Sequence, residues 1–394
     1  MTAGVATDGG AGDRALVVNV RPLLLATFVS ALDRFSVAPM LVVISHDLRV
    51  SLGSASAAAS VYFLCYGLSQ VGWGAVSDRF GRVRTMRFTL VLGVLAGLAS
   101  AAAPNLLLLT LARALAGIAF GAITPGSLVY IGDSMPFHRR HGPLNQLVAA
   151  NAVGTAVAIV GGGFAASFAS WRIAFAVPAV LAIWLAVVLG RLPEPPRQGL
   201  HRGPVRQILM VVQRPWAILV IGLGFGEGAV VLGILTYLAA ALETAGVGAA
   251  LAGTVVAVFG LAVLAMSRVP LLVGRMRMST VMGFGGTGYA AAYFAIAFGQ
   301  PLLAVLACAF ILGVGWALMH PLVQSWATEV VPEARASAVS LFAMALFVGS
   351  AVSAALAGPL AEMHRFGTIF LGAALVGVVL TVVTVIGRRR YAGD

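Results

Sequence analysis

Long runs of apolar residues, separated by short polar segments, recur along the whole chain. At about 1.5 Å per residue, each run is long enough to cross a bilayer core of roughly 30 Å as a helix. The runs are continuous and lack the alternation of membrane β-strands, which favours helices. The pattern predicts twelve spans, at residues 22–44, 55–76, 86–103, 106–131, 144–168, 171–190, 215–241, 248–270, 279–299, 302–324, 337–360 and 367–387.

Composition excludes a soluble protein. Hydrophobic residues make up 60% of the 394 residues, charged residues make up 10%, and the mean hydropathy is +1.00. Soluble domains contain about 25% charged residues. A net charge of +12 is compatible with nucleic-acid binding, but the arginines lie in short loops between spans. We therefore predict the lipid bilayer, and not nucleic acid, as the partner of this charge.

The arginines are distributed unevenly between the two predicted sides of the membrane. Of the 25 basic residues, all arginine, 20 lie on the side that carries the N-terminus. The opposite side carries Arg49, Arg172 and Arg365, and two more arginines lie within spans. Because cytoplasmic loops retain basic residues, we predict that both termini are cytoplasmic. The use of arginine alone indicates a GC-rich bacterial genome, so we predict a multi-pass protein of a bacterial plasma membrane.

The loops divide the chain into two halves. A segment rich in proline and arginine follows the sixth predicted span and separates it from the seventh. We predict an N-terminal tail at 1–20, a six-helix bundle at 21–190, a cytoplasmic linker at 191–214, a second six-helix bundle at 215–387 and a C-terminal tail at 388–394.

The two halves repeat at an offset of about 193 residues. Three features recur at this offset: Arg21-Pro22 and Arg214-Pro215, Gly81-Arg82-Val83-Arg84 and Gly274-Arg275-Met276-Arg277, and Arg172 and Arg365. Six spans per half preserve sidedness, so the repeats are parallel and related by an axis along the membrane normal. We therefore predict an all-α membrane protein of twelve transmembrane helices in two pseudo-symmetric bundles.

The loop after the second span carries a specific motif. It reads Gly74-Ala-Val-Ser-Asp78-Arg79-Phe-Gly81-Arg82-Val-Arg84 and resembles the GxxxDRxGRxR signature of the major facilitator superfamily. Further segments resemble the twelve-span drug:proton antiporters of that family: Leu109-x-x-x-Arg113-x-x-x-Gly117-x-x-x-Gly121, Ser170-Trp171-Arg172-x-x-Phe175 and Val331-Pro332-Glu333-x-Arg335. The resemblance covers residues 20–390 and implies alternating-access transport.

The resemblance implies that the loop motif is a gating latch. A carboxylate at Asp78 can bond helix N-terminal amides and nearby arginines, which would hold the inner gate shut. The latch residues are Gly74, Asp78, Arg79, Gly81 and Arg82.

The sequence departs from the antiporter pattern in two places. The second half has Leu271 and Leu272 where Asp78 and Arg79 stand in the first, so only the first half keeps the charged latch. The fifth span lacks the Gly-Pro pair with which antiporters usually end it, which favours import over export.

Four ionisable residues fall near the middle of predicted spans: Asp33, Arg34, Arg113 and Glu227. Charge at this depth is costly, so such residues usually face a cavity and have a function. Burial favours the protonated form of an acid, whereas a nearby guanidinium favours the carboxylate. We predict Asp33 and Glu227 as proton-coupling or substrate-binding groups, with Arg113 as a partner. Arg34 is either a further partner or a residue that faces the external vestibule. A permanent structural ion pair is the alternative.

Aromatic and amide residues form stripes at helical spacing, and either line a pocket or pack between helices. The candidate pocket-lining residues are Tyr62, Tyr66, Trp73, Asn151, Trp316, His320 and Gln324.

The sequence contains no phosphate-binding loop, nucleophile motif or metal-binding cluster. We therefore predict that the protein is not an enzyme and has no cofactor. Without a nucleotide site, we predict that transport is driven by a gradient. The favoured function is proton-coupled efflux of a small amphipathic drug or secondary metabolite by a monomer. Proton-coupled uptake of a small nutrient is the alternative, and a non-transporting receptor or structural protein is the third hypothesis.

Overall fold

The computed structural model describes residues 19–195, 204–266 and 276–392. Within these ranges, every regular element is a helix, and each predicted span corresponds to one of them. We label these helices α1 (Arg21–Asp47), α2 (Ala57–Phe80), α3 (Arg82–Ala101), α4 (Leu106–Ser134), α5 (His141–Phe168), α6 (Ile173–Leu189), α7 (Pro215–Thr244), α8 (Ala249–Met266), α9 (Met278–Ala297), α10 (Leu302–Val330), α11 (Pro332–Glu362) and α12 (Phe366–Ala392).

Nine of the twelve are long and apolar enough to cross a membrane by length and composition. The other three are α2, α6 and α9, which have 24, 17 and 20 residues. Helix α6 is apolar but is one residue shorter than the 18 residues that a spanning helix needs. Glycine and polar residues lower the mean hydropathy of α2 and α9. The predicted all-α fold of twelve membrane helices is confirmed.

Regular structure also occurs outside the predicted spans. Helix α12 continues to Ala392, so residues 388–392, predicted as a tail, are helical. The predicted linker contains a helix at Pro204–Val212, which packs against α11. The remaining parts of the predicted tails and linker, residues 1–18, 196–203 and 393–394, lie outside the described residues, as does the loop 267–275.

The helices pack as two related groups of six. In the first group α2 packs on α4, and α3 on α6; in the second group α8 packs on α10, and α9 on α12. These are equivalent pairs, because α2 corresponds to α8 and α3 to α9 in the repeat. The two groups meet through α2 with α11 and α5 with α8, which the same symmetry exchanges.

Glycines bring the two bundles together near the membrane side that carries few arginines, hereafter the Arg-poor side. A Cβ at Gly163 of α5 would collide with the carbonyl of Ala249 at the start of α8. A Cβ at Gly253 would lie 2.7 Å from the carbonyl oxygen of Ile159, and one at Gly67 would lie 2.9 Å from that of Met344. Without a Cβ, glycine lets two backbones approach this closely. The bundles are therefore tightly packed from their Arg-poor ends to about mid-height.

Toward the Arg-rich side the same helix faces separate. Gly74 lies two turns beyond Gly67 on α2, yet a Cβ there would meet no atom within 4 Å. On α5, Asn145 lies two turns from Ala152, which packs against Gly260 of α8, yet Asn145 is exposed. Among the described residues, the seam between the bundles is therefore closed on the Arg-poor side and open on the Arg-rich side.

Replacing Gly163 by valine should force the bundles apart on the Arg-poor side, because the new side chain would enter the backbone of α8. Spin labels at Ala102 and Ala245, exposed residues at the Arg-poor ends of the two bundles, should then lie several ångströms further apart. The distances are measured by electron paramagnetic resonance, with Cys65 and Cys308 replaced by serine. Gly161→Val is the matched control, because a Cβ at Gly161 meets nothing within 4 Å. Equal distances in the two variants would contradict a tightly packed seam.

Candidate functional site

Helices α1 and α7 are both interrupted directly after their charged residues. The first α-helical part of α1 ends at Phe35 and resumes after a 3₁₀ turn at Ala38–Met40. Helix α7 loosens into a π-helical segment at Gly228–Gly233, immediately after Glu227. Such interruptions free backbone groups from the regular ladder and are frequent at functional sites. The pseudo-symmetric position of the two interruptions marks the centre of the protein.

Asp33 and Arg113 form a buried, two-pronged ion pair that joins α1 to α4. The Arg113 Nη1 donates to Asp33 Oδ1 at 2.9 Å, and Nη2 donates to Oδ2 at 2.8 Å. Nη2 also donates to the Asp33 main-chain carbonyl at 3.1 Å, one of the groups freed by the interruption of α1. Both side chains are completely inaccessible to solvent. This geometry gives strong, oriented charge-assisted hydrogen bonds.

Aromatic rings enclose this ion pair. The Arg113 guanidinium lies 4.4 Å from the ring centroid of Tyr62 and 4.7 Å from that of Phe175. The Arg113 Nε and the Tyr62 hydroxyl are buried without a hydrogen-bond partner among the described residues. A buried pair in such surroundings is barely screened by water, so each charge depends strongly on the other.

Arg34, the neighbour of Asp33, points to a different part of the site. Its Nη2 donates to Asn151 Oδ1 at 2.7 Å, which joins α1 to α5. Its guanidinium lies 4.8 Å from the centroid of Tyr66, 4.9 Å from Phe35 and 5.3 Å from Phe347. Because Phe347 belongs to α11, Arg34 lies at the seam between the two bundles.

Glu227 is the centre of a second polar cluster, within the C-terminal bundle. The hydroxyl of Tyr289 donates to Glu227 Oε1 at 3.1 Å, and Nδ1 of His320 lies 2.9 Å from Oε2. Glu227 is completely buried, whereas the His320 side chain is 17% exposed. The imidazole stacks on Trp316, with ring centroids 4.2 Å apart, and lies 5.7 Å from Phe342.

The two clusters differ in the groups that contact their carboxylates. Asp33 has a permanently charged partner, because a guanidinium stays protonated at all relevant pH values. Glu227 contacts a phenol and an imidazole, both of which are neutral unless the imidazole takes up a proton. Glu227 is thus a buried carboxylate without a guanidinium partner among the described residues, and its histidine partner is partly exposed.

The loop motif after α2 forms a compact network at the Arg-rich side of the N-terminal bundle. Arg82 forms an ion pair with Asp78, and its Nε donates to Asp133 Oδ2 at 3.0 Å. Its Nη1 donates to the hydroxyl of Ser77 at 3.2 Å. Arg79 is exposed, with its guanidinium 5.6 Å from the ring centroid of Phe80. All of these contacts join residues of one bundle.

The start of α3 is capped by a residue that the sequence analysis did not select. The Glu194 carboxylate accepts from the Val83 N–H at 3.1 Å and from the Arg84 N–H at 3.4 Å. Gly81, with φ of 109°, provides the turn that brings this carboxylate against the helix N-terminus. The predicted role of Asp78 as the acceptor for helix amides therefore belongs, in this structure, to Glu194, and Asp78 pairs with Arg82 instead.

The candidate pocket residues fall into different environments. Tyr62 and Tyr66 stack on each other, with centroids 5.9 Å apart, beside the two buried arginines of α4 and α1. Asn151 accepts a hydrogen bond from Arg34, His320 contacts Glu227, and Trp316 stacks on His320. Trp73 instead donates from Nε1 to the carbonyl of Ile118 at 2.6 Å and ties α2 to α4. Gln324 lies partly buried one turn of α10 beyond His320.

Tyr289, Phe175 and Phe347 contact the buried charges and were not selected from the sequence. Apolar aromatic residues in membrane spans carry no signal that separates a site from helix packing. Asp133 and Glu194, at the ends of spans, were recognisable as acidic residues close to arginine-rich loops.

Comparison with known proteins assigns the family. The family model of the Major Facilitator Superfamily matches residues 23–278 and 269–393. The chain is 27% identical over 190 residues to the niacin transporter NiaP of Acinetobacter baylyi, covering 48% of this chain and 43% of that protein. It is 22% identical over 183 residues to the quinolone resistance protein NorB of Staphylococcus aureus, covering 46% of this chain and 39% of that protein.

The fold agrees with solved structures. The crystal structure of a D-xylose-proton symporter superposes with a TM-score of 0.75 at 18% identity, covering 91% of this chain and 96% of that one. The sequence matches to the two relatives cover less than half of each relative's length. The family model, in contrast, spans both bundles. The chain is therefore a member of the major facilitator superfamily, a family of multi-pass membrane transporters.

Proposed function

We propose that this transporter exports a small amphipathic organic compound in exchange for protons, by alternating access across a bacterial plasma membrane. In this proposal the Arg-rich side faces the cytoplasm. Transport is driven by the proton gradient, and Glu227 carries the proton.

The buried Glu227–His320 contact is the observation that carries this proposal. A membrane-embedded carboxylic acid with neutral partners changes its charge more readily than one paired with a guanidinium. His320 supplies a path from the buried acid to water, since part of its ring is exposed. A proton that arrives from one side is thus stored at Glu227 until the bundles reopen on the other side.

The Asp33–Arg113 pair supports coupling in a second way. Protonation of Asp33 would remove one charge of a pair that joins α1 to α4, and would leave Arg113 without its partner. The helices around the pair would then rearrange or accept another anion. Protonation at the centre is thereby linked to the packing of the N-terminal bundle.

The arrangement of the bundles supports alternating access. The seam is closed on the Arg-poor side by glycine contacts and open on the Arg-rich side, as expected of one end state of a rocking motion. In this state the contacts that the latch residues make with described residues are to their own bundle and to the start of the linker. In the opposite state, closure of the Arg-rich side would bring the Asp78–Arg82 network against the C-terminal bundle.

Export is favoured over uptake by the relationship to a quinolone resistance protein, since a membrane transporter confers resistance by removing the compound from the cell. Uptake is the second candidate, supported by the absence of a Gly-Pro pair at the end of α5. A non-transporting role is disfavoured, because the family consists of transporters.

Proton and solute movements in proteoliposomes test the proposal. With a quinolone or nicotinate as probe and a pH-sensitive dye inside, we expect an imposed pH gradient to drive the probe in the direction opposite to the protons. Movement of both in the same direction would identify the uptake symporter. Transport of a probe without any response to the pH gradient would contradict proton coupling.

A further inference from the structure

Arg34 is the one buried arginine in the described part of the chain whose partner is neutral. Three arginines are buried there: Arg34, Arg113 and Arg388. Arg113 pairs with Asp33, and Arg388 Nη1 donates to Glu329 at 2.6 Å. Arg34 donates instead to the amide oxygen of Asn151, and no ion pair joins it to a described carboxylate. A buried cation without a counterion is energetically costly, so the site lacks one negative charge.

The surroundings of Arg34 leave hydrogen-bonding capacity unused. Its Nε has no hydrogen-bond partner among the described residues, and Arg34 is only 6% exposed, so little water can reach this group. Aromatic rings hold the guanidinium on several sides, and cation–π contacts lower the cost of burial without supplying a negative charge. The free Nε and the planar guanidinium are suited to bind a carboxylate.

The position of Arg34 places this unused capacity where a transported solute would bind. Tyr66 of the N-terminal bundle and Phe347 of the C-terminal bundle both contact the guanidinium. Asn151, its hydrogen-bond partner, is only partly buried, and among the described residues the seam is open on the Arg-rich side. A solute entering from that side would meet a cation flanked by aromatic rings from both bundles.

We propose that the transported solute is an aromatic or similarly apolar carboxylate, whose anionic group pairs with Arg34 while its apolar body lies against Tyr66 and Phe347. Simultaneous contact with both bundles would let the bound solute influence which side of the seam is closed. This inference rests on the proposed transport function and specifies its substrate class.

A matched series of ligands tests the charge preference directly. The probes are 2-naphthoate, 2-naphthamide and 2-naphthylmethylammonium, which share a ring system and carry one negative charge, none and one positive charge. Binding is measured by calorimetry on the purified full chain in detergent. We expect 2-naphthoate to bind at least about tenfold more tightly than either analogue, the scale of one charge-assisted hydrogen-bonded pair.

Substitutions at the site separate Arg34 from other causes of anion binding. Arg34→Gln should weaken 2-naphthoate binding about tenfold or more and leave 2-naphthamide binding unchanged, whereas Arg34→Lys should retain part of the preference. Asn151→Asp supplies an internal carboxylate to Arg34 and should abolish the preference without removing the arginine. The control is the double variant Arg388→Gln/Glu329→Gln, which removes another buried arginine together with its partner and should leave the preference intact.

Three results would overturn the inference. The first is no preference for 2-naphthoate in the unmodified protein, which includes failure of all three probes to bind. The second and third are an unchanged preference in folded Arg34→Gln protein and an unchanged preference in Asn151→Asp protein. Folding is checked by size-exclusion chromatography and thermal unfolding. Because binding in detergent requires no proton gradient, a protein without proton coupling would still show the preference. Failure of the proposed transport mechanism is therefore distinguishable from failure of this substrate assignment.

Discussion

The Arg113→Met variant should lose about 3–5 kcal/mol of the free energy of unfolding, the cost of leaving one charge of a buried pair without its partner. Asp33 would remain completely buried, and the aromatic rings of Tyr62 and Phe175 offer it no replacement donor of equal strength. The measurement is an unfolding titration in mixed micelles, followed by tryptophan fluorescence and circular dichroism.

Two controls separate the loss of charge pairing from the loss of side-chain volume. The double variant Asp33→Leu/Arg113→Met removes both charges and should recover much of the stability, since buried pairs can be replaced by apolar residues at little cost. Arg172→Met breaks a more exposed pair with Asp47, whose side chains are 36% and 45% exposed, and should cost less than about 1 kcal/mol. Equal losses for Arg113→Met and Arg172→Met would show that burial does not strengthen the central pair.

Replacing Glu227 by glutamine should abolish transport driven by a pH gradient, down to the level of protein-free liposomes. Glutamine has the same shape and keeps an oxygen for the Tyr289 hydroxyl, but it cannot bind or release a proton. Exchange of labelled for unlabelled solute at equal pH on both sides requires no net proton movement and should continue. The measurement compares these two modes in proteoliposomes that contain the same variant.

The control for this substitution is Glu362→Gln, which neutralises an exposed carboxylate at the Arg-poor end of α11 and should leave both modes of transport unchanged. His320→Gln should slow gradient-driven transport without abolishing it, because the proposed mechanism assigns the route to water to His320 and the storage of the proton to Glu227. If Glu227→Gln protein kept full gradient-driven transport, proton coupling would have to be assigned to Asp33, the other completely buried acid among the described residues.

The membrane helices could be predicted because hydropathy is a local property. A bilayer admits only segments that satisfy their own backbone hydrogen bonds, so a long apolar run has few alternatives to a helix. The limits of the prediction were also local. Helix α12 continues through Arg388 because the charge of Arg388 is neutralised by Glu329 from another helix. Hydropathy along the chain does not indicate such a contact between helices.

The candidate site could be predicted only as a list of residues. A charged residue in an apolar span is costly wherever it points, so Asp33, Arg34, Arg113 and Glu227 were recognisable from the sequence. Their partners were not, because adjacent residues on a helix point about 100° apart. Asp33 thus meets Arg113 on α4, whereas Arg34 meets Asn151 on α5 and Phe347 on the other bundle.

Sequence alone determined the all-α membrane fold, the repeat of two halves and the buried charges Asp33, Arg34, Arg113 and Glu227, because each depends on the local cost of placing a residue in lipid. The tertiary structure decided which charges neutralise one another. It paired Asp33 with a permanent cation, placed Glu227 against a tyrosine and a histidine, and left Arg34 without a carboxylate partner among the described residues. These differences arise from helix rotation and packing between residues far apart in the chain, and the proposed proton site and anion site both rest on them.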